Sequence, residues 1–364
     1  LKQVSYKFLL LSAIPVLVLA VLFYFIDLVH LVGPSLILFF ILLGIGFRGF
    51  DKLKGFTYTM MIFGVVVAAM FYPGPFQEIG GFKLSGLIVP LLQIIMFGMG
   101  TSMSLRDFGG VIKMPKGVLI GVLCQFTIMP IIGYTLAKLS GFPPEIAAGL
   151  ILIGSSPSGM ASNVMSFLAN ANLALSITIT AVTTMLAPFI TPVLMGLLAG
   201  EFVEVNVWGM VLDIIKIVIV PIGAGLLFNR FLGGKAKWLD DAMPLVSMIG
   251  IAVIIAIITA AGRDNLLTIG PILIVLVIFH NLSGYTLGYW AGKLFRMDER
   301  DCRTIAFEVG MQNAGLASGL AKEMGKIATV GLAAAVFGPF MNITGSILAS
   351  YWHRKPPKDE EIEK

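Results

Sequence analysis

Charge is scarce in this sequence. Asp, Glu, Lys and Arg make up 12% of its 364 residues, about half the roughly 25% of a soluble domain. Histidine and cysteine are scarcer still, at three and two residues. No His-Glu-x-x-His, Gly-x-Gly-Asp or repeated aspartate-rich segment occurs, so zinc hydrolysis and the other intramembrane enzyme chemistries lack their residues. Cys124 and Cys302 lie in or beside apolar runs, far from any paired-cysteine metal spacing, and read as small membrane hydrophobes. The net charge of +5 does not make a nucleic-acid surface. The basic residues fall in short connections between apolar runs, where orientation signals lie.

What the chain has in excess is apolar length. Hydrophobic residues reach 57%, in runs close to the ~20 residues that span a bilayer. The runs lack period-2 alternation, so they predict helices rather than barrel strands. Twelve spans are expected, at 8–28, 34–49, 56–73, 84–103, 117–139, 144–168, 172–199, 207–230, 242–261, 267–294, 301–322 and 327–351. Lys2 and Lys7 precede an apolar stretch from Phe8 to Leu28 that is too long for a signal-peptide core, and it is read as a true first span. With that count, nineteen basic residues fall on the side of the N-terminus and five on the other (Lys83, Lys138, Arg263, Lys322 and Lys326), with Lys216 inside a span. The positive-inside rule then places both termini in the cytoplasm.

Beyond the first two spans, ten remain, five from about residue 56 and five from about residue 207, entering the membrane from opposite sides. That is the topology of an inverted repeat. The fourth span of each half begins at an acidic turn, Pro144-Glu145 and Asp298-Glu299, and turns polar midway. One break reads Gly154-Ser-Ser-Pro-Ser-Gly-Met-Ala-Ser-Asn163 and the other Glu308-Val-Gly-Met-Gln-Asn-Ala-Gly315. Interrupted spans at matched positions point to a transporter binding site. A proline and several glycines inside a span predict freed carbonyls for a hard cation and half-helix N-termini for an anion. Glu308, about seven residues into its span, calls for a counter-charge at membrane depth. Around it the chain offers oxygen donors suited to hard cations, namely Ser162, Asn163, Ser176, Thr180, Gln125 and Gln312. Ser176 and Thr180, at i and i+4, share a helix face. Asp213 and Lys216 read as an interfacial pair. His280, Asn281 and the Gly284-x-x-x-Gly288-x-x-x-Gly292 stripe read as close helix packing.

These residues resemble the bile acid:sodium symporter family. Ala161-Ser162-Asn163-Val164-Met165, Ala174-Leu175-Ser176 through Thr180, and Glu308-Val309-Gly310-Met311-Gln312-Asn313 are similar to its signatures, as are Gln125 to Pro130 and Cys302-Arg303-Thr304. The resemblance covers about residues 56 to 355. It implies an all-α polytopic membrane protein with a ten-helix core of two inverted five-helix repeats (51–200 and 201–355) and two discontinuous crossing helices. Two extra N-terminal helices (1–50) and a charged cytoplasmic tail (356–364) complete the expected organisation. It further implies two co-transported sodium ions and no other cofactor. The first sodium would take Ser162, Asn163, Ser176, Thr180 and Glu308. The second would take Gln125, Glu308 and Gln312 with the carbonyls of Val309 and Met311. An organic anion would sit by Met160, Ala161, Asn313, Ala314 and the half-helix after Pro157. Met160 stands where bacterial members often carry threonine.

The function expected from this resemblance is sodium-coupled symport of an organic anion by a monomer in a bacterial inner membrane, working by alternating access. The anion would be bile-acid-like, a steroid conjugate or a small acid such as pantoate. The alternative is a sodium-independent or proton-coupled organic-anion or metalloid permease of the same superfamily. A metalloid carrier would want a thiol at the first break, where Ser155 and Ser156 stand. A proton antiporter would favour an intramembrane aspartate pair.

Overall fold

A computed structural model describes residues 2–50, 53–104, 109–232 and 237–357. Residues 358–364 of the tail expected at 356–364, with Lys52, Arg106 and Lys235 from the charge count, lie outside the described residues. The described chain is helical apart from one small hairpin. Its helices are α1 (Lys2–Phe25), α2 (Val29–Phe47), α3 (Thr57–Phe71), the single turn α4 (Gly74–Gln77), α5 (Ile88–Ser102), the single turn α6 (Gly110–Lys113), α7 (Pro115–Leu139), α8 (Pro144–Gly154) and α9 (Ala161–Leu168). They continue as α10 (Leu173–Leu194), α11 (Val207–Ile214), α12 (Val220–Leu232), α13 (Lys237–Ala261), α14 (Arg263–Leu294), α15 (Glu299–Gly310), α16 (Ala314–Glu323) and α17 (Gly331–His353). Among the described residues, ten helical segments are long and apolar enough to cross a membrane. The protein is an all-α polytopic membrane protein.

The spans expected at 144–168 and 301–322 are each two half-helices, α8 with α9 and α15 with α16. Local chemistry accounts for the ends. Pro144 opens α8, where the missing N–H costs nothing. Pro157 disfavours helix in the residue before it, and α8 stops at Gly154. Asp298 caps α15 by accepting from Asp301 N, and Asn313 caps α16 by accepting from Leu316 N. Two features were not legible in the pattern. Turns of π-helix at Met195–Ala199 and Ile215–Ile219 extend α10 and join α11 to α12. A two-stranded hairpin pairs β1 (Glu78–Ile79) with β2 (Phe82–Lys83), turning on Gly80 and Gly81 at positive φ.

Packing separates the periphery from the centre. α1 lies on α2, and α2 on α3, while Phe8, Ile14, Tyr24 and Phe25 of α1 stay exposed, as a lipid-facing helix requires. α8 and α15 are the opposite case: Ile146–Gly154 and Cys302–Gly310 are buried throughout. The long helix α14 lies along α15 through its glycine stripe. Gly284 meets Gly310, Gly288 meets Ile305 and Ala306, and Gly292 meets Cys302, so the two backbones approach closely as small residues allow.

Two charged readings change. Arg303, counted among the orientation signals, is 4% exposed. Its guanidinium donates to the carbonyls of Ala169, Trp352 and Lys355 and to Glu299. It binds the helix ends of α9 and α17 to α15, because carbonyls at helix C-termini attract a cation. Asp213 and Lys216 make no ion pair, with each other or with another described residue.

Candidate sodium and anion site

The two breaks meet. Ser158 and Gln312 form an isolated antiparallel β-bridge. Gly159 N donates to Met311 O at 2.8 Å, and Asn313 N to Pro157 O at 2.9 Å. A side chain at residue 159 has no room, since a Cβ there would lie 2.7 Å from Gln312 O. The crossing is thus made of main chain.

The sequence predicts freed carbonyls at such breaks; in the fold they are taken. Ser155 O accepts from Thr191 Oγ1 and Ser156 O from Gln125 Nε2, both at 2.7 Å. Glu308 O accepts from Ser158 Oγ at 2.9 Å, Val309 O from Gln312 Nε2 at 2.6 Å and Gly310 O from Asn281 Nδ2 at 2.8 Å. Buried main-chain polar groups away from water require such partners. Helices α7, α10 and α14 supply three of them. Thr344 Oγ1 in turn donates to Asn281 Oδ1 at 2.5 Å. Asn281, read as packing, therefore also terminates α15.

Beside the crossing, all five residues of the first expected sodium set come together. Glu308 is fully buried, and its Oε1 lies 2.6 Å from both Ser162 Oγ and Ser176 Oγ, while Oε2 lies 2.8 Å from Thr180 Oγ1. Asn163 Oδ1 is 2.8 Å from Ser176 Oγ and 3.2 Å from Thr180 Oγ1. Ser162 Oγ also reaches Gly159 O at 2.7 Å and Thr180 Oγ1 at 3.4 Å. That makes seven oxygen–oxygen contacts among groups carrying three hydroxyl protons. Among the described residues no Lys or Arg pairs with Glu308. A buried set richer in lone pairs than in protons is the donor chemistry a hard cation takes.

The second expected set is differently arranged. Gln125 and Gln312 are buried and pair through their amides, Gln125 Nε2 donating to Gln312 Oε1 at 2.7 Å and Gln312 Nε2 to Gln125 Oε1 at 3.3 Å. Their remaining N–H groups reach the carbonyls of Ser156 and Val309. The Glu308 carboxylate bonds to neither glutamine; it faces the hydroxyls. Of the expected anion residues, Ala161 and Ala314 are the first residues of α9 and α16, and Asn313 is the cap of α16. Met160 is 39% exposed and leads a row with Val164, Phe167 and Leu168 that α9 leaves uncovered.

These arrangements agree with what the chain is similar to. Residues 89–269 match the Sodium Bile acid symporter family. A Bacillus subtilis (strain 168) protein named as the uncharacterized sodium-dependent transporter YocS is 39% identical over 314 residues, 86% of this chain and 96% of that one. The chain belongs to the sodium bile acid symporter family. The probable sodium/metabolite cotransporter BASS1, chloroplastic, of Arabidopsis thaliana is 33% identical over 270 residues, 74% of this chain and 67% of the relative. The corresponding BASS3 of Oryza sativa subsp. japonica is 32% identical over 297 residues, 80% and 69% of the two chains. As a member of this family the protein is a membrane transporter, not an enzyme.

Sequence reasoning did not single out Asn172, which positions the hydroxyl face. It caps α10 through Leu175 N and donates to Asp301 Oδ1 at 2.8 Å, while its main chain bonds Thr304 Oγ1. The helix carrying Ser176 and Thr180 is thereby seated on α15, which carries Glu308. An Asn three residues before the first bonded N–H of a helix is a legible cap signal.

Proposed function

We propose that this transporter carries an organic anion together with sodium, by alternating access, as a monomer in a bacterial inner membrane with both termini in the cytoplasm. The proton-poor oxygen cluster around Glu308 carries the reading: it suits a small hard cation and supplies one negative charge to hold it. The names of the relatives, a sodium-dependent transporter and sodium/metabolite cotransporters, support sodium as that cation. A second sodium would use Gln125, Glu308, Gln312 and the carbonyls of Val309 and Met311. It requires the Gln312 amide to turn, because its Nε2 now donates to Val309 O at 2.6 Å. Met160, Ala161, Asn313 and Ala314 would seat the anion at the two half-helix N-termini, whose partial positive charge favours it. Residues 51–200 and 201–355 would act as inverted repeats, moving the broken helices against the rest of the bundle.

Uptake into proteoliposomes tests this. A panel of organic anions is offered under an inward sodium gradient, then under an equal potassium gradient with an imposed proton gradient. Saturable uptake in sodium alone is expected, lost in Glu308→Gln. Uptake that is equal in potassium removes the sodium reading.

A further inference from the structure

At the end of the bundle that gathers the basic connections, a cavity of about 330 Å³ opens between the start of α7 and the α14–α15 turn. Lys113, Lys116 and Arg296 line it together with Asp298 and Asp301. One oxygen of each carboxylate is engaged: Asp298 Oδ1 accepts from Asp301 N and Asp301 Oδ1 from Asn172 Nδ2. The three cations make no ion pair among the described residues. From the same Lys116 a second cavity, of about 420 Å³, continues along α7. Its walls are Leu119, Leu123, Cys124, Thr127 and Phe295. Leu119, Leu123 and Phe295 are half exposed or more. The one hydroxyl, of Thr127, is turned onto its own helix at Leu123 O, 2.6 Å away, so the groove presents hydrocarbon. Arg296, in the left-handed region at φ 53°, ends α14 in a tight turn that sets Phe295 beside the groove and its own guanidinium at the mouth.

We infer that this paired cavity binds one anionic phospholipid of the membrane, its phosphate among Lys113, Lys116 and Arg296 and an acyl chain in the α7 groove. Two observations choose this occupant. The charge lies at the start of the α7 span, where a headgroup lies, with three cations against two carboxylates, and basic pockets at this depth recruit anionic lipid. The length also fits. Lys116 and Thr127 are eleven positions apart on α7, so the groove runs about 16 Å, close to the roughly 15 Å of hydrocarbon in one leaflet. A soluble anion would use the mouth and leave the groove empty. The lipid passes close to transport machinery at both ends: its headgroup lies in the cavity that Asp301, the partner of Asn172, also lines, and its tail passes Cys124, the residue before Gln125, to reach Thr127.

Native mass spectrometry of the full-length protein in detergent tests the inference, with phosphatidylglycerol and phosphatidylethanolamine added in equal amounts after delipidation. One phosphatidylglycerol is expected to remain bound in preference to phosphatidylethanolamine. The variant Lys113→Gln/Lys116→Gln/Arg296→Gln should retain it at least about tenfold less. Leu123→Trp, which fills the groove and keeps all three charges, should lose it as well. Each variant is first shown to elute as a single species with the wild-type melting midpoint, and a variant that fails this is replaced by the single change Lys116→Gln or Leu123→Phe. Equal retention of the two lipids by the wild type, or undiminished phosphatidylglycerol on either folded variant, overturns the inference.

Discussion

Ser158 and Gln312 face each other across a single antiparallel bridge, and each break is completed by main chain from the other. Gly159 sits against Gln312 O at a distance that no Cβ tolerates. Gly159→Ala should therefore force the two segments apart and destabilise the protein by about 1–3 kcal/mol, as overpacking of a buried contact does. The thermal midpoint of the purified variant reads this directly. An unchanged midpoint would mean that the crossing yields without cost.

Sodium should stabilise the protein and potassium should not. A ligand that binds only the folded state adds stability by mass action, about 2.7 kcal/mol when it is present at a hundred times its Kd. The small oxygen cage around Glu308 closes on contacts of 2.6–2.8 Å, which the larger ion must spread. Melting curves in the two salts at equal ionic strength decide the matter, and superimposed curves would tell against a sodium site.

Glu308→Gln should abolish sodium binding, whereas Gln125→Ala should weaken it and destabilise the fold. The first change removes the one carboxylate in the cluster. The second spares that cluster and leaves Ser156 O without its donor, a loss of about 1–3 kcal/mol for a buried carbonyl. Calorimetric sodium titration of each variant separates them. Normal sodium affinity in Glu308→Gln would relocate the site.

Removal of residues 1–50 should leave ligand binding intact. α1 packs on α2 and α2 on α3, and every proposed ligand lies beyond residue 124. A monodisperse truncated protein is expected to match the full chain in sodium-dependent stabilisation. A shift in that response would assign the two helices a part in core packing.

Anion and sodium should bind with positive and reciprocal coupling, of about 5–150-fold in affinity. Ser162 and Asn163 begin the helix that Ala161 opens, so the cation cluster and the proposed anion seat share α9. Ordering that segment for one ligand leaves less to order for the other. Anion affinity across a sodium titration, and the converse, measures it. Independent affinities would leave binding without symport.

Composition, run length and the lack of period-2 alternation determined that this chain lives in a bilayer as helices, because 57% hydrophobic residues at 12% charge come in runs that leave helix, rather than barrel strand, to satisfy the backbone. The places of the two breaks were legible as well, since Pro157, the flanking glycines and an intramembrane Glu308 contradict the span around them. Side-chain types near those breaks also pointed to the hydroxyls that the fold gathers around Glu308. What the linear chain could not hold is pairing between distant segments. The β-bridge at Ser158, the reciprocal amides of Gln125 and Gln312, the carbonyls closed by Thr191 and Asn281, and the burial of Arg303 each join residues far apart in sequence. Only packing decides which of several competent donors reaches a given carbonyl. Tertiary structure also decided that the freed carbonyls of Ser155, Ser156, Glu308, Val309 and Gly310 each receive a donor from the protein, because a buried carbonyl away from water needs one.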